Sequence, residues 1–186
     1  MPKIVHIMCY NKEVIKSFII KLLSVSQRRL KNLNEGDKYM RISILSRQSA
    51  ENLIASEFPK NTAVISFYDP VGSRSDHTVP VDYKGKAETL FRVAVYDIDI
   101  DILENYGLSY DTYLPEVDAL AEFIKAAHDK GLDIICQCEY GQSRSAACAA
   151  AISQYYYNNG IDIFSDYRYY PNQLIYHKVY DALNKK

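Results

Sequence analysis

The stretch that most constrains this chain is Ile135 to Ile152, ICQCEYGQSRSAACAAAI. An apolar segment, Leu132 to Cys136, leads into Cys138. Arg144 and Ser145 follow, and then a run of alanines that reads as a helix. The sequence therefore places a strand end, a tight loop containing Gly141 and a helix start within a few residues of one another. That arrangement suits a phosphate group. Backbone N–H groups of a short loop converge on it, and the helix N-terminus adds its partial positive charge.

The residue types inside the loop fit the same chemistry. A phosphate monoester is a dianion and needs several inward N–H donors and a fixed cation. Glu139, Tyr140, Gly141, Gln142, Ser143 and Arg144 can supply the backbone donors, and Gly141 permits the backbone turn that aims them. Arg144 can also grip two phosphate oxygens with its planar fork. The positive field favours the thiolate of Cys138, which is the nucleophilic form and would give a phosphocysteine. Ser145 can donate a hydrogen bond to the sulfur and ease its departure in the second step.

Composition sets the frame around the loop. The chain has 186 residues, 48% of them apolar and 24% charged, with a net charge of −1, which predicts one ordinary globular domain over residues 1–186. Near-neutral charge argues against a nucleic-acid partner, and no basic run or long apolar run argues for a membrane. The N-terminus does not read as a signal peptide, so a reducing cytoplasm is expected. The cysteines at 9, 136, 138 and 148 form no CxxC pair and the histidines show no zinc spacing, so neither a metal nor a cofactor is expected.

Read in order, strands alternate with helices. Ile4 to Met8 reads as a strand, and Val14, Ile15, Phe18, Ile19, Leu22 and Leu23 form one helical stripe. Arg41 to Leu45 predicts a strand, and Ser49 to Phe58 a helix capped by Ser46 or Ser49. Thr62 to Tyr68 is a clear strand. The aperiodic stretch that follows to Glu88 has the length of a lid, a binding loop or a poorly ordered segment, and Arg74, Asp76 and His77 lie within it. Leu90 to Tyr96 predicts a fourth strand. Pro115 opens a helix that Gly131 ends, and Leu132 to Gln137 forms a fifth strand. A helix runs from about Ser143 to Tyr157 and stops at Asn158-Asn159-Gly160. Asp162 to Pro171 is irregular, and Asn172 caps a last helix through Leu183. The pattern is that of an α/β domain with a mainly parallel central sheet flanked by helices. Ligands of such sheets sit beyond the carboxyl ends of the strands, where Asp69, the acidic segment at Asp97 and Cys138 all fall.

The segment CEYGQSRS resembles the Cys-(x)5-Arg-Ser/Thr signature of cysteine-dependent protein tyrosine phosphatases, in their dual-specificity-like branch. Ser66-Phe67-Tyr68-Asp69-Pro70, Tyr96-Asp97-Ile98 and Pro171-Asn172 are similar to segments of a bacterial and phage group of these enzymes. The resemblance implies a protein tyrosine phosphatase-like fold with the phosphate-binding loop between the last strand and a helix. It also implies hydrolysis of phosphotyrosine, and in some members phosphoserine or phosphothreonine, in a phosphorylated protein or peptide. Two positions depart from the pattern. Gln137 stands where the family usually carries His before the nucleophile. Glu139 is acidic where relatives acting on inositol phospholipids have basic loop residues, which argues against a polyanionic lipid headgroup.

The leaving oxygen needs a proton, and a carboxylic acid on a neighbouring loop would supply it. Asp97 is the first candidate and Asp99 the alternative, with Asp101 and Asp69 behind them. In an extended segment 97, 99 and 101 share one face, so spacing does not choose among them. Cys136 falls on the same side of its strand as Cys138, and it or Cys9 could trap an oxidised Cys138 as a disulfide, but burial in the core is the simpler reading of both. Two further readings share the loop: a phosphate-binding module without turnover, and a phosphatase of RNA 5′ ends or nucleotides.

Overall fold

A computed structural model describes residues 39–73 and 78–185. The expected strand at Ile4 to Met8, the helical stripe from Val14 to Leu23, and Cys9, Arg74, Asp76 and His77 lie outside the described residues.

Four strands form one sheet: β1 (Ile42–Ser46), β2 (Thr62–Tyr68), β3 (Thr89–Ala94) and β4 (Asp133–Cys138). The order is β1-β4-β2-β3 and every pairing is parallel. Helices α1 (Arg47–Ala55), α2 (Val117–Asp129), α3 (Arg144–Tyr157), α4 (Ile161–Ser165) and α5 (Gln173–Asn184) flank it. The α/β architecture expected from the alternation is the one observed.

Alternation along the strands sorts the core into two layers, because successive side chains leave a strand on opposite faces. Ala63, Ile65, Phe67, Ile134, Cys136 and Cys138 join the larger core together with residues of α2, α3 and α5. Val64 and Ile135 pack on the other face with Ala50 and Ile54 of α1 and with Val81 and Tyr83. Burying each of these large side chains stabilises the fold by roughly 1.5–3 kcal/mol.

Helix α3 is buried on nearly every side from Arg144 to Ser153, and its alanines explain how. Small side chains let the sheet and the neighbouring helices approach its axis closely, which larger residues would prevent. Asn158 ends the helix in the left-handed conformation at φ 54°. Gly160 then lets the chain turn against α3, since a Cβ there would lie 2.5 Å from the Ala150 carbonyl oxygen.

The caps follow chemistry that the sequence carries. The Ser46 side chain accepts a hydrogen bond from Ser49 N, so α1 starts at Arg47 rather than at Ser49. Asn172 caps α5 in the same way through Ile175 N.

Three expectations need correction. Residues 100–106 form a 3-10 helix that ends at Gly107 in the left-handed conformation, so the acidic segment is extended only as far as Asp99. The stretch from Asp162 contains the short helix α4 rather than being irregular throughout. The stretch from Asp69 to Glu88 is not loose throughout: Val81 and Tyr83 are each 2% exposed and form part of the second core layer, while Gly72 and Ser73 line the cleft that also holds Arg144.

Candidate active site

The carboxyl ends of all four strands converge on the loop between β4 and α3. Strand register sets Ser46 beside Cys138 and Ser66 beside Gln137. Gly141 turns at φ 70°, and a Cβ at that position would stand 2.7 Å from Ser46 N and 2.9 Å from the Leu45 carbonyl carbon. Glycine is thus required twice over, by its backbone angle and by the close approach of β1.

Cys138 is 2% exposed, and its Sγ lies 3.1 Å from Ser145 Oγ. Arg144 is equally deep at 3% exposure. Its two hydrogen bonds both leave from Nη1, one to Asp69 Oδ1 at 2.5 Å and one to the Val95 carbonyl at 3.0 Å. Arg144 Nε is buried and has no hydrogen-bond partner among the described residues. It stands 3.7 Å from Asp97 Oδ2, a charge pair rather than a hydrogen bond.

Asp97 is held through its other oxygen. Oδ1 accepts from Ser143 Oγ at 2.6 Å and from Asn172 Nδ2 at 3.1 Å. The Asn172 amide also donates to the Ile98 carbonyl at 3.0 Å, so one side chain caps α5 and fixes the acidic segment. Tyr113 donates to the Tyr96 carbonyl at 2.5 Å. Burial, reinforced by the Asp97 charge, pushes that phenol well above its ordinary range and keeps it a donor.

Around Arg144 lies an open cleft of about 870 Å³. Asp69, Asp97 and Glu139 contribute its carboxylates, and Tyr96, Tyr106 and Ile102 contribute apolar surface. The Tyr96 and Tyr106 rings stand 4.9 Å apart at a tilt of 53°. Cys138 is not among the residues lining the cleft. Asp99 and Asp101 line a separate cavity of about 470 Å³ with Tyr110 and His177. The shared face expected for 97, 99 and 101 is not kept, and of these three only Asp97 stands beside Arg144.

Behind the loop the two departures from the family pattern are both accommodated. Gln137 is 1% exposed. Its Oε1 accepts from Ser66 Oγ at 2.7 Å, with the Tyr83 hydroxyl at 3.4 Å, and its Nε2 donates to the Cys138 carbonyl at 2.8 Å. The amide thus anchors the start of the loop. Glu139 is paired: Arg47 Nε donates to its Oε2 at 2.6 Å. Glu139 thus belongs to an ion pair, while Arg144 is the one basic residue within the loop itself. Arg47 was invisible to sequence reasoning, since it sits 92 positions from Glu139.

Cys136 is fully buried on the Cys138 side of the sheet. A hydrogen bond with Cys148, together with burial, pushes its thiol well above the ordinary range. Among the described residues no group of three or more His, Cys, Asp or Glu side chains is arranged to hold a metal ion. Nor is any helix among them long and apolar enough to cross a membrane.

No family profile matches the chain, and no curated protein matches it in sequence. Solved structures similar to it include human DUSP28, with 16% identity and a TM-score of 0.42 over 76% of this chain and 90% of that one. PTPMT1 is similar at 13% identity and a TM-score of 0.41, over 76% of this chain and 88% of that one. PTPMT1 in complex with PI(5)P is similar at 13% identity and a TM-score of 0.40, over 76% and 89%.

Proposed function

We propose that the chain is a cysteine-dependent phosphatase that hydrolyses phosphomonoesters, phosphotyrosine foremost, through a phosphocysteine. One observation carries the reading: Arg144 is held through Nη1 by Asp69 and the Val95 carbonyl, while its Nε is buried without a hydrogen bond, 3.7 Å from Asp97 Oδ2. An unmet buried donor is costly, by about 1–3 kcal/mol and more for a charged group. A tetrahedral dianion in the loop, taking Nε and the backbone N–H groups, would remove that cost.

The proposed chemistry runs in two displacements. The Cys138 thiolate attacks phosphorus and the bond to the leaving oxygen breaks, with Asp97 giving that oxygen its proton. Because Oδ1 of Asp97 is occupied by Ser143 and Asn172, the proton belongs on Oδ2. Water, deprotonated by the Asp97 carboxylate, then attacks phosphorus and expels the thiolate. Ser145 Oγ donates to that sulfur from 3.1 Å. The tyrosine-lined wall of the cleft supports an aromatic ester, since ring contacts of this kind add about 0.5–1.5 kcal/mol.

The test is turnover of an aryl phosphate by the purified protein, with and without a chelator. Chelator-resistant release of phenol and phosphate is expected. Cys138→Ser should lower turnover by about 10⁴-fold or more while still binding the ester by calorimetry. Equal turnover in the variant and the parent would sink the mechanism. Binding without any turnover by the parent would instead mark a phosphate-reading module.

A further inference from the structure

Glu139 presents a problem to any phosphate-binding reading of this loop. It is one of the residues lining the cleft that also contains Arg144. A second negative charge beside a dianion would weaken binding unless something neutralised it. Three contacts bear on this, all made at the junction of β1 and α1. The Arg47 backbone N–H donates to the Glu139 carbonyl at 3.0 Å. The Arg47 guanidinium donates from Nε to Glu139 Oε2 at 2.6 Å. Its Nη2 donates to the Val79 carbonyl at 2.7 Å, which fixes the direction of the fork. Beside these, the Ser46 backbone closes on Gly141 so tightly that no Cβ fits.

We infer that Arg47 is a positioning residue for the phosphate site: it neutralises Glu139 and holds that carboxylate off the anion. The inference rests on the phosphatase reading of the loop. Arg47 touches no reacting atom and acts through Glu139. The partly buried pair, with side chains 22% and 13% exposed, is shielded from solvent enough for its charge balance to matter. A phosphate loop with an acidic residue after its nucleophile therefore requires a cation supplied from another strand end.

The experiment compares the parent, Arg47→Ala and the double variant Arg47→Ala with Glu139→Gln at neutral pH. Inhibition by inorganic phosphate and the KM and kcat for an aryl phosphate are the readouts. Loss of Arg47 alone should weaken phosphate inhibition and raise KM about tenfold, with a smaller change in kcat. The double variant should return both to within about threefold of the parent, because the Glu139 charge is gone as well. A merely structural role predicts the reverse, a double variant at least as impaired as the single one, and that result overturns the inference. So does Arg47→Ala behaving like the parent. If Arg47→Ala fails to fold, Arg47→Lys carries the test: it keeps the charge, and a folded Arg47→Lys protein with a tenfold loss of phosphate inhibition overturns the role of charge. A parent that neither turns over the ester nor is bound by phosphate overturns the phosphatase reading and this inference together, whereas an active parent matched by Arg47→Ala removes this inference alone.

Discussion

Two arginines hold the 138–144 loop, and they differ in what they leave over. Arg47, with its side chain 22% exposed, gives Nε to Glu139, Nη2 to Val79 and stands 3.8 Å from Glu51 through Nη1. Arg144, with its side chain only 4% exposed, uses Nη1 alone for hydrogen bonds and leaves Nε without one, 3.7 Å from Asp97 Oδ2. Burial normally demands the opposite, because the deeper a charge lies the more its donors need partners. The partly exposed arginine is the one whose bonding is met by the protein, and it serves the architecture. The buried one keeps a donor without a hydrogen bond, and that is the edge the proposed phosphate would take.

The comparison breaks most directly at Arg144. Arg144→Lys keeps a positive charge and can still reach toward Asp69, but it has no planar fork to offer a phosphate. The expected result is a loss of about a thousandfold in kcat/KM for an aryl phosphate, the scale for removing a donor aimed at developing charge. Steady-state kinetics beside a far-ultraviolet circular dichroism spectrum would separate this from unfolding. A variant within tenfold of the parent would mean that the unpaired Nε edge is not where the substrate binds.

Asp97 sharpens the same contrast from its other partner. Its Oδ1 is tied to Ser143 and Asn172, as fully as Arg47 is tied, while Oδ2 faces Arg144 Nε. Asp97→Asn keeps much of the hydrogen-bonding shape and removes the transferable proton. It should lower kcat about a hundredfold for an ester with a poor leaving group. The loss should be much smaller for an activated nitrophenyl ester, whose oxygen departs without help. Equal losses with both esters would remove Asp97 from the proton-donor role and leave it as a tether for Ser143 and Asn172.

What the sequence disclosed follows the same division. The strand, the Gly141 turn and the alanine helix were legible because their causes are local: a left-handed backbone angle, small side chains and alternation along β4. Cys138, Arg144 and Ser145 could therefore be assigned to one strand–loop–helix junction from the sequence. Arg47 was not legible, because nothing near it in the chain points to Glu139. Gln137 was equally opaque. Its amide reads as a departure from a pattern until Ser66, 71 positions away, is seen to satisfy it. The 3-10 helix at 100–106 was missed because only Leu103 in it is buried, which leaves no apolar periodicity to read. Alternation at 97, 99 and 101 suggested an extended strand end in its place. Contacts made across the sheet and turns without an apolar face escape one-dimensional reading.

The weakest expected effect lies behind the loop, where every group is satisfied and the consequence is stability rather than turnover. Burial pushes the Tyr83 hydroxyl far above the ordinary phenol range, so it remains protonated in the folded protein. In the unfolded chain the same phenol ionises near pH ~10. A group whose folded value is raised leaves stability untouched below the unfolded value and erodes it as pH rises beyond that point, since only the unfolded state then gains by losing the proton. The thermal midpoint should hereby hold steady to about pH 9 and decline above it. Tyr83→Phe should make that decline shallower without abolishing it, because burial raises Tyr113 and Tyr156 as well. At neutral pH the variant loses the hydroxyl's contacts with Ser66 and with Gln137, the latter 3.4 Å long, and kcat/KM should stay within about threefold of the parent. An alkaline decline identical in variant and parent would show that Tyr83 ionises without unfolding, and the closed rear of the loop would then have to be more open than its hydrogen bonds imply.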